Sequence, residues 1–192
     1  MIRIKISLLF LLLPLWSYGQ FDFDVYQYEF VECFYNPEAT EPLQIFDQVN
    51  GQIIVELPTI TEDNCYYKLA ISKSNNSWLR IENLMQVVNC SSNELNNNIH
   101  RFKGKWVQAR NLMINISDLD LDPTDAKSVR FYQLPDRSAK VVYFSGKYLA
   151  TDLLEIKERW AKVSFQVYDI NYTGWLHRDD QCPYPWTTCP RN

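Results

Sequence analysis

The sequence predicts an all-β fold arranged as two small barrels in tandem, and three observations carry that prediction. Aromatic residues make up 15% of the chain while glycine occurs only 5 times in 192 residues, and Val, Ile and Thr are plentiful. That composition suits packed strands better than disorder. Short runs alternate apolar and polar positions, separated by polar turns, with no convincing amphipathic helix between them. The third observation is that the same ordered pattern occurs twice.

The repeat is read directly from the residues. Leu43-Gln-Ile-Phe-Asp-Gln-Val-Asn-Gly-Gln-Ile-Ile-Val55 lines up with Val129-Arg-Phe-Tyr-Gln-Leu-Pro-Asp-Arg-Ser-Ala-Lys-Val141. Further on, Trp78-Leu-Arg-Ile81 matches Trp160-Ala-Lys-Val163, and Lys105-Trp-Val-Gln108 matches Gly174-Trp-Leu-His177. The second tryptophan follows the first by 28 residues in one copy and by 15 in the other. The excess of 13 falls in an Asn-rich stretch over 88–103, which reads as a loop insertion of the kind that surface connections tolerate. Residues 150–162 fit a helix by the placing of Leu153, Leu154, Ile156 and Trp160, but alternation continuing through Lys162 favours a strand. For a unit of about 60 residues, antiparallel strands closing on themselves are the economical fold. The resulting division is a first barrel over 20–112 with its insertion, an acidic linker over 113–128 holding Asp118, Asp120, Asp122 and Asp125, and a second barrel over 129–192.

Residues 1–19 read as a cleaved signal peptide. Arg3 and Lys5 precede an apolar run from Ile6 to Leu15, and Ser17-Tyr18-Gly19 offers small residues at the positions a signal peptidase requires. The apolar run is half the length of a membrane helix, which needs about 20 residues, and no later segment is apolar for long enough to span a membrane. Losing Arg3 and Lys5 takes the formal charge from −4 to −6, an acidic balance that argues against nucleic acid or an anionic membrane as partner. The expected location is periplasmic or secreted.

Export places the five cysteines where disulfides persist. Cys182 and Cys189 enclose Pro183-Tyr184-Pro185-Trp186-Thr187-Thr188, a turn-forming segment that brings the two sulfurs together. Cys33, Cys65 and Cys90 cannot all pair internally; the favoured pair is Cys65 with Cys90, which leaves Cys33 free or buried. A zinc site lacks ligands, because there is no C-x-x-C pair and only His100 and His177 are present. No metal and no cofactor is expected. The acids Asp118, Asp120 and Asp122 alternate like a calcium loop, but Pro123 and Val129 occupy the positions where that loop needs Gly and Glu. The sequons at Asn75, Asn89, Asn115 and Asn171 are explained by chance in an Asn-rich chain. A dyad of Cys33 and His177 can be imagined, but neither sits in a recognisable catalytic motif. No enzymatic activity is expected.

A strand, a turn with Pro or Gly, a short apolar strand, W-x-[KR]-[VI] and then [GK]-W-[VL] is the order found in bacterial SH3-like (SH3b) domains. The chain resembles that family twice, well in Val129–Tyr132, Trp160–Val163 and Gly174–His177, and less well in the first copy, where Lys105 replaces the usual glycine and the insertion intervenes. The resemblance implies small non-catalytic barrels beside cell-wall enzymes, with a peptidoglycan peptide or an envelope protein as partner. An aromatic-walled groove is how such barrels hold an extended peptide. Tyr132, Tyr148, Trp160, Trp175, His177 and Asp179 in the second copy are the expected ligand-binding residues, with Asp179 and Asp180 favouring an amine or basic ligand. The alternative is an interaction or inhibitor protein that covers its partner with a barrel surface, the insertion over 88–103 included.

Overall fold

The computed structural model describes residues 29–87, 90–91, 94–116, 128–186 and 189; residues 1–19, read above as a signal peptide, and most of the stretch read as a linker lie outside them. The described residues fold as all-β. Twelve strands run in chain order as β1 (Val31–Tyr35), β2 (Leu43–Phe46), β3 (Ile53–Leu57), β4 (Tyr66–Asn75), β5 (Trp78–Val87), β6 (Trp106–Gln108), β7 (Leu112–Met113), β8 (Val129–Tyr132), β9 (Val141–Ser145), β10 (Asp152–Lys157), β11 (Trp160–Val167) and β12 (Ile170–His177). All pairs are antiparallel. Period-2 burial is plain in β11, where Ala161, Val163 and Phe165 turn inward while Lys162, Ser164 and Gln166 lie towards solvent.

The segment that could be read as a helix is β10. Leu153 and Ile156, three positions apart, are both buried. A register shift between Leu153 and Glu155 inserts one residue and changes the parity of the strand, which is how a β-bulge mimics helical spacing.

The strands form one sheet in the order β3-β2-β6-β5-β4-β1-β7-β10-β11-β12-β8-β9. This order contains the repeat. The run β3-β2-β6-β5-β4 and the run β9-β8-β12-β11-β10 are the same five-strand arrangement, with β2 to β6 matching β8 to β12 one for one. The register agrees residue by residue: Trp78 faces Gln108 as Trp160 faces His177, Arg80 faces Trp106 as Lys162 faces Trp175, and Phe46 faces Trp106 as Tyr132 faces Trp175. Even the irregularities correspond, with shifts at Ile45/Phe46 and at Phe131/Tyr132.

Three departures from the sequence expectation follow. The strands do not divide into two sheets, because β1 pairs with β4 and β7, and β7 pairs in turn with β10. One apolar core runs through both halves, from Leu43, Leu69 and Ile81 through Leu112, Ile114 and Ile116 to Phe131, Val163 and Leu176. Residues 113–116, assigned to the linker on sequence, belong to the seam: Met113 is in β7 and Ile114 and Ile116 are buried. Their apolar alternation continues the strand, and the acids begin only after them. The insertion is also more than a surface loop. A 3-10 turn over Glu94–Asn98 sends Leu95 into the core, Phe102 follows it, and the Leu84 amide donates to the Ile99 carbonyl at 2.9 Å.

Two disulfides join Cys65 to Cys90 and Cys182 to Cys189, as the sequence suggested, and Cys33 is a free, buried thiol. Two bonded pairs fit an extracellular or periplasmic protein. Among the described residues no helix is long and apolar enough to cross a membrane.

Candidate functional site

Five of the six expected ligand residues come together at the β8–β11–β12 end of the second half. Tyr132, Trp160 and Trp175 are buried as a cluster with Ala139 and Val141 packed against it. Tyr132 meets Trp160 edge-on with centroids 5.5 Å apart, and Lys162 Nζ lies 5.9 Å from the Trp175 ring centre. His177 stands 4.8 Å from Trp160. Its Nδ1 accepts from Arg137 at 2.8 Å, and the Asp179 carboxylate is ion-paired with Arg137. Partial burial, opposed by Asp179, holds His177 below its ordinary pKa, so the ring is neutral and Nδ1 is free to accept. The arrangement is a packed aromatic layer lidded by Arg137, His177 and Asp179. It supplies support more than an open groove.

The equivalent layer in the first half is less covered. Phe46 meets Trp78 edge-on at 4.8 Å, but Trp78 and Trp106 are only half-buried. The cause is loop length. Six residues join Phe46 to Ile53, whereas eight join Tyr132 to Val141, and the longer connection is the one that brings Arg137 over the cluster. The position matching His177 is Gln108, which is exposed.

Tyr148, the sixth expected residue, lies elsewhere, on a cleft of the described surface. This cleft of about 590 Å³ spans the seam between the halves. Phe34 and Asn36–Glu38 reach it from the end of β1, Ile60–Tyr66 from the approach to β4, Met113 and Asn115 from β7 and its extension, Tyr148 and Ala150 from the approach to β10, and Pro185 and Trp186 from the C-terminal disulfide loop. Asn115 ties these parts together. Its backbone exchanges two hydrogen bonds with Cys182, at 2.9 and 2.8 Å. Its Nδ2 donates to Tyr148 Oη at 3.0 Å and to the Tyr184 carbonyl at 2.9 Å. Trp186 is held upright by Tyr66, 5.3 Å away and perpendicular, and by Tyr184, 6.0 Å away and nearly parallel.

The electrostatics of the cleft are one-sided. Glu38, Glu62 and Asp63 line it, and none of its lining residues is Lys, Arg or His. Glu62 accepts from the Ser91 amide at 2.7 Å and hydroxyl at 2.6 Å, bonds that hold its carboxyl below the usual range. Burial, and then the Glu38 charge, push the Tyr148 phenol up, so Tyr148 stays a protonated donor. Sequence reasoning passed over Trp186, Asn115, Glu38 and Asp63. Trp186 was visible as one of two aromatics inside the Cys182–Cys189 ring, but the rest of the cleft comes from four distant segments.

The Cys33–His177 dyad does not form as a nucleophilic pair. Cys33 lies in the closed core, and burial pushes its thiol far up, whereas attack needs a thiolate. Among the described residues no group of three or more His, Cys, Asp or Glu could hold a metal ion.

No family model matches the sequence, and no curated protein matches it. Among solved structures the chain is similar to NlpC2 and NlpC1 from Trichomonas vaginalis, at 11% and 12% identity, over 81% and 82% of this chain and 48% and 46% of theirs, each with a TM-score of 0.29. The chain thus spans about half the length of those structures.

Proposed function

We propose that the protein is an exported, non-catalytic binding module whose central cleft takes an extended peptide, a peptidoglycan peptide or a segment of an envelope protein. The observation that carries this reading is the cleft itself, lined by the half-buried aromatics Tyr148 and Trp186, with Tyr66 packed behind Trp186, together with polar segments such as Asn36–Glu38 and Thr61–Asn64. Rigid aromatic walls order few side chains on binding, which favours affinity for a flexible ligand. The five-strand order shared by the halves, with its paired tryptophans, supports reading each half as an SH3-like module whose second aromatic layer stiffens the fold. Tyr132, Trp160 and Trp175 then act from beneath the surface, and contact with ligand passes to Tyr148.

Titration of soluble muropeptides and of synthetic peptides, read by tryptophan fluorescence and calorimetry, tests the reading. Tyr148→Ala and Trp186→Ala are expected to weaken binding about tenfold or more, the usual effect of removing an aromatic anchor. Unchanged binding in both variants, with normal melting, would place the ligand elsewhere.

A further inference from the structure

The cleft's chemistry points to one class of side chain within such a peptide. Its lining carries three carboxylates and no cationic residue. Glu62 is already committed to Ser91, while Glu38 and Asp63 are exposed with no ion pair to a Lys or Arg among the described residues. In the floor, Asn115 is 1% exposed and spends its Nδ2 on Tyr148 and Tyr184, leaving Oδ1 a buried acceptor with no hydrogen-bond partner. A buried, unpaired acceptor is uncommon in a folded protein, and one in the lining of a cleft is met by an ordered water or by a donor that a ligand brings. Tyr148 and Trp186 supply π-faces, which attract a cation and also pack against a methylene stem.

We infer that the cleft selects a peptide bearing a primary ammonium on a flexible stem, of the lysine type, with Glu38 and Asp63 as its anionic contacts, Tyr148 and Trp186 as its walls and the Asn115 carbonyl as a further acceptor. The inference rests on the peptide-binding reading above. A neutral or anionic group of the same length gains none of the charge attraction and leaves the Asn115 acceptor unmet.

Calorimetric titration of the mature protein with N-acetyl-Ala-Lys-Ala-amide, against the same peptide with norleucine and with Nε-acetyl-lysine in place of lysine, decides it. The lysine peptide is expected to bind about tenfold or more tightly than either control, and to weaken as salt is raised. The double substitution Glu38→Gln with Asp63→Asn is expected to bring the lysine peptide down to the norleucine level without moving the melting temperature, since both side chains are exposed. Equal binding of all three peptides at Tyr148 and Trp186 would overturn the ammonium assignment and leave the peptide reading intact. Failure of all three to bind would overturn both.

Discussion

Trp160 stands edge-on to His177 with ring centroids 4.8 Å apart, and the same two residues are register partners across β11 and β12. Lid and layer are therefore one unit, and the lid's geometry depends on which proton state the imidazole adopts. Arg137 donates to Nδ1, so protonation there would set two cationic donors against each other.

A pH dependence follows. His177 has a folded pKa below its ordinary value of 6.5, so the unfolded chain takes up the proton first. The stability contributed by the neutral ring is present above about pH 6.5 and is lost as the pH falls from there through the folded pKa. His177→Gln, which copies Gln108 of the first half, is expected to flatten the stability profile between pH 7 and 5 in urea titrations. Asp152 and Asp180, whose pKa values burial raises, act in the opposite sense nearer the carboxylate range. Comparing the variant with wild type cancels the Asp152 contribution, which is common to both. An unchanged slope between variant and wild type would show that the lid does not titrate.

The two aromatic layers should differ in energy. Trp160→Ala removes a buried ring and is expected to cost about 3–5 kcal/mol. Trp78→Ala, at the matching but half-buried position, is expected to cost roughly half that because less apolar area returns to water. Chemical denaturation of the two variants side by side measures the difference. Equal costs would show that the longer 133–140 connection adds no cover that matters.

The disulfides should contribute unequally. In the chain-entropy picture, closing the ring between residues 65 and 90 stabilises by about 3.5 kcal/mol, and closing the short terminal ring by about 2.5 kcal/mol. Trp186 lies inside the terminal ring, whereas the other disulfide reaches it through Tyr66, the neighbour of Cys65. Cys182→Ser with Cys189→Ser is therefore expected to lower peptide affinity as well as stability, whereas Cys65→Ser with Cys90→Ser is expected to lower stability chiefly. Melts and calorimetry on the two double variants separate these effects.

Glu32 and Lys68 form a buried ion pair at 3.2 Å, with the ammonium also 4.9 Å from the Tyr184 ring centre. Lys68→Met alone strands a buried carboxylate and is expected to cost about 3–5 kcal/mol, while Glu32→Leu with Lys68→Met is expected to recover most of that loss. A double variant no more stable than the single one would mean that the pair is held by more than its charge.

The repeat was legible because its marks are local. Trp78-Leu-Arg-Ile81 and Trp160-Ala-Lys-Val163 occupy strand positions that recur with matching register partners, and the terminal disulfide followed from the turn-forming segment between its cysteines and from export. The seam was not legible. Val31–Tyr35 and Leu112–Met113 lack counterparts in the second half, so comparison of the copies passes over them, yet they carry the pairing that fuses the sheet. The aromatic site was half legible for the same reason. Pattern matching finds aromatics at equivalent places, but burial of Trp160 and Trp175 depends on a two-residue difference in loop length and on Arg137. The cleft is assembled from segments that no sequence spacing connects.

The two central strands come from opposite ends of the first half; β7 pairs with β10 in the sheet, and Ser74 of β4 adds hydrogen bonds to Ile156 of β10. Copying a five-strand unit and joining the copies end to end would not have produced this molecule, because the join is made of residues that neither copy contains. A fragment beginning at residue 128 would keep its own five strands but present β10 as a bare edge where β7 had been. Unpaired N–H and C=O groups on such an edge recruit other strands. The second half on its own should therefore self-associate through β10, and adding the first half in trans should compete that association away.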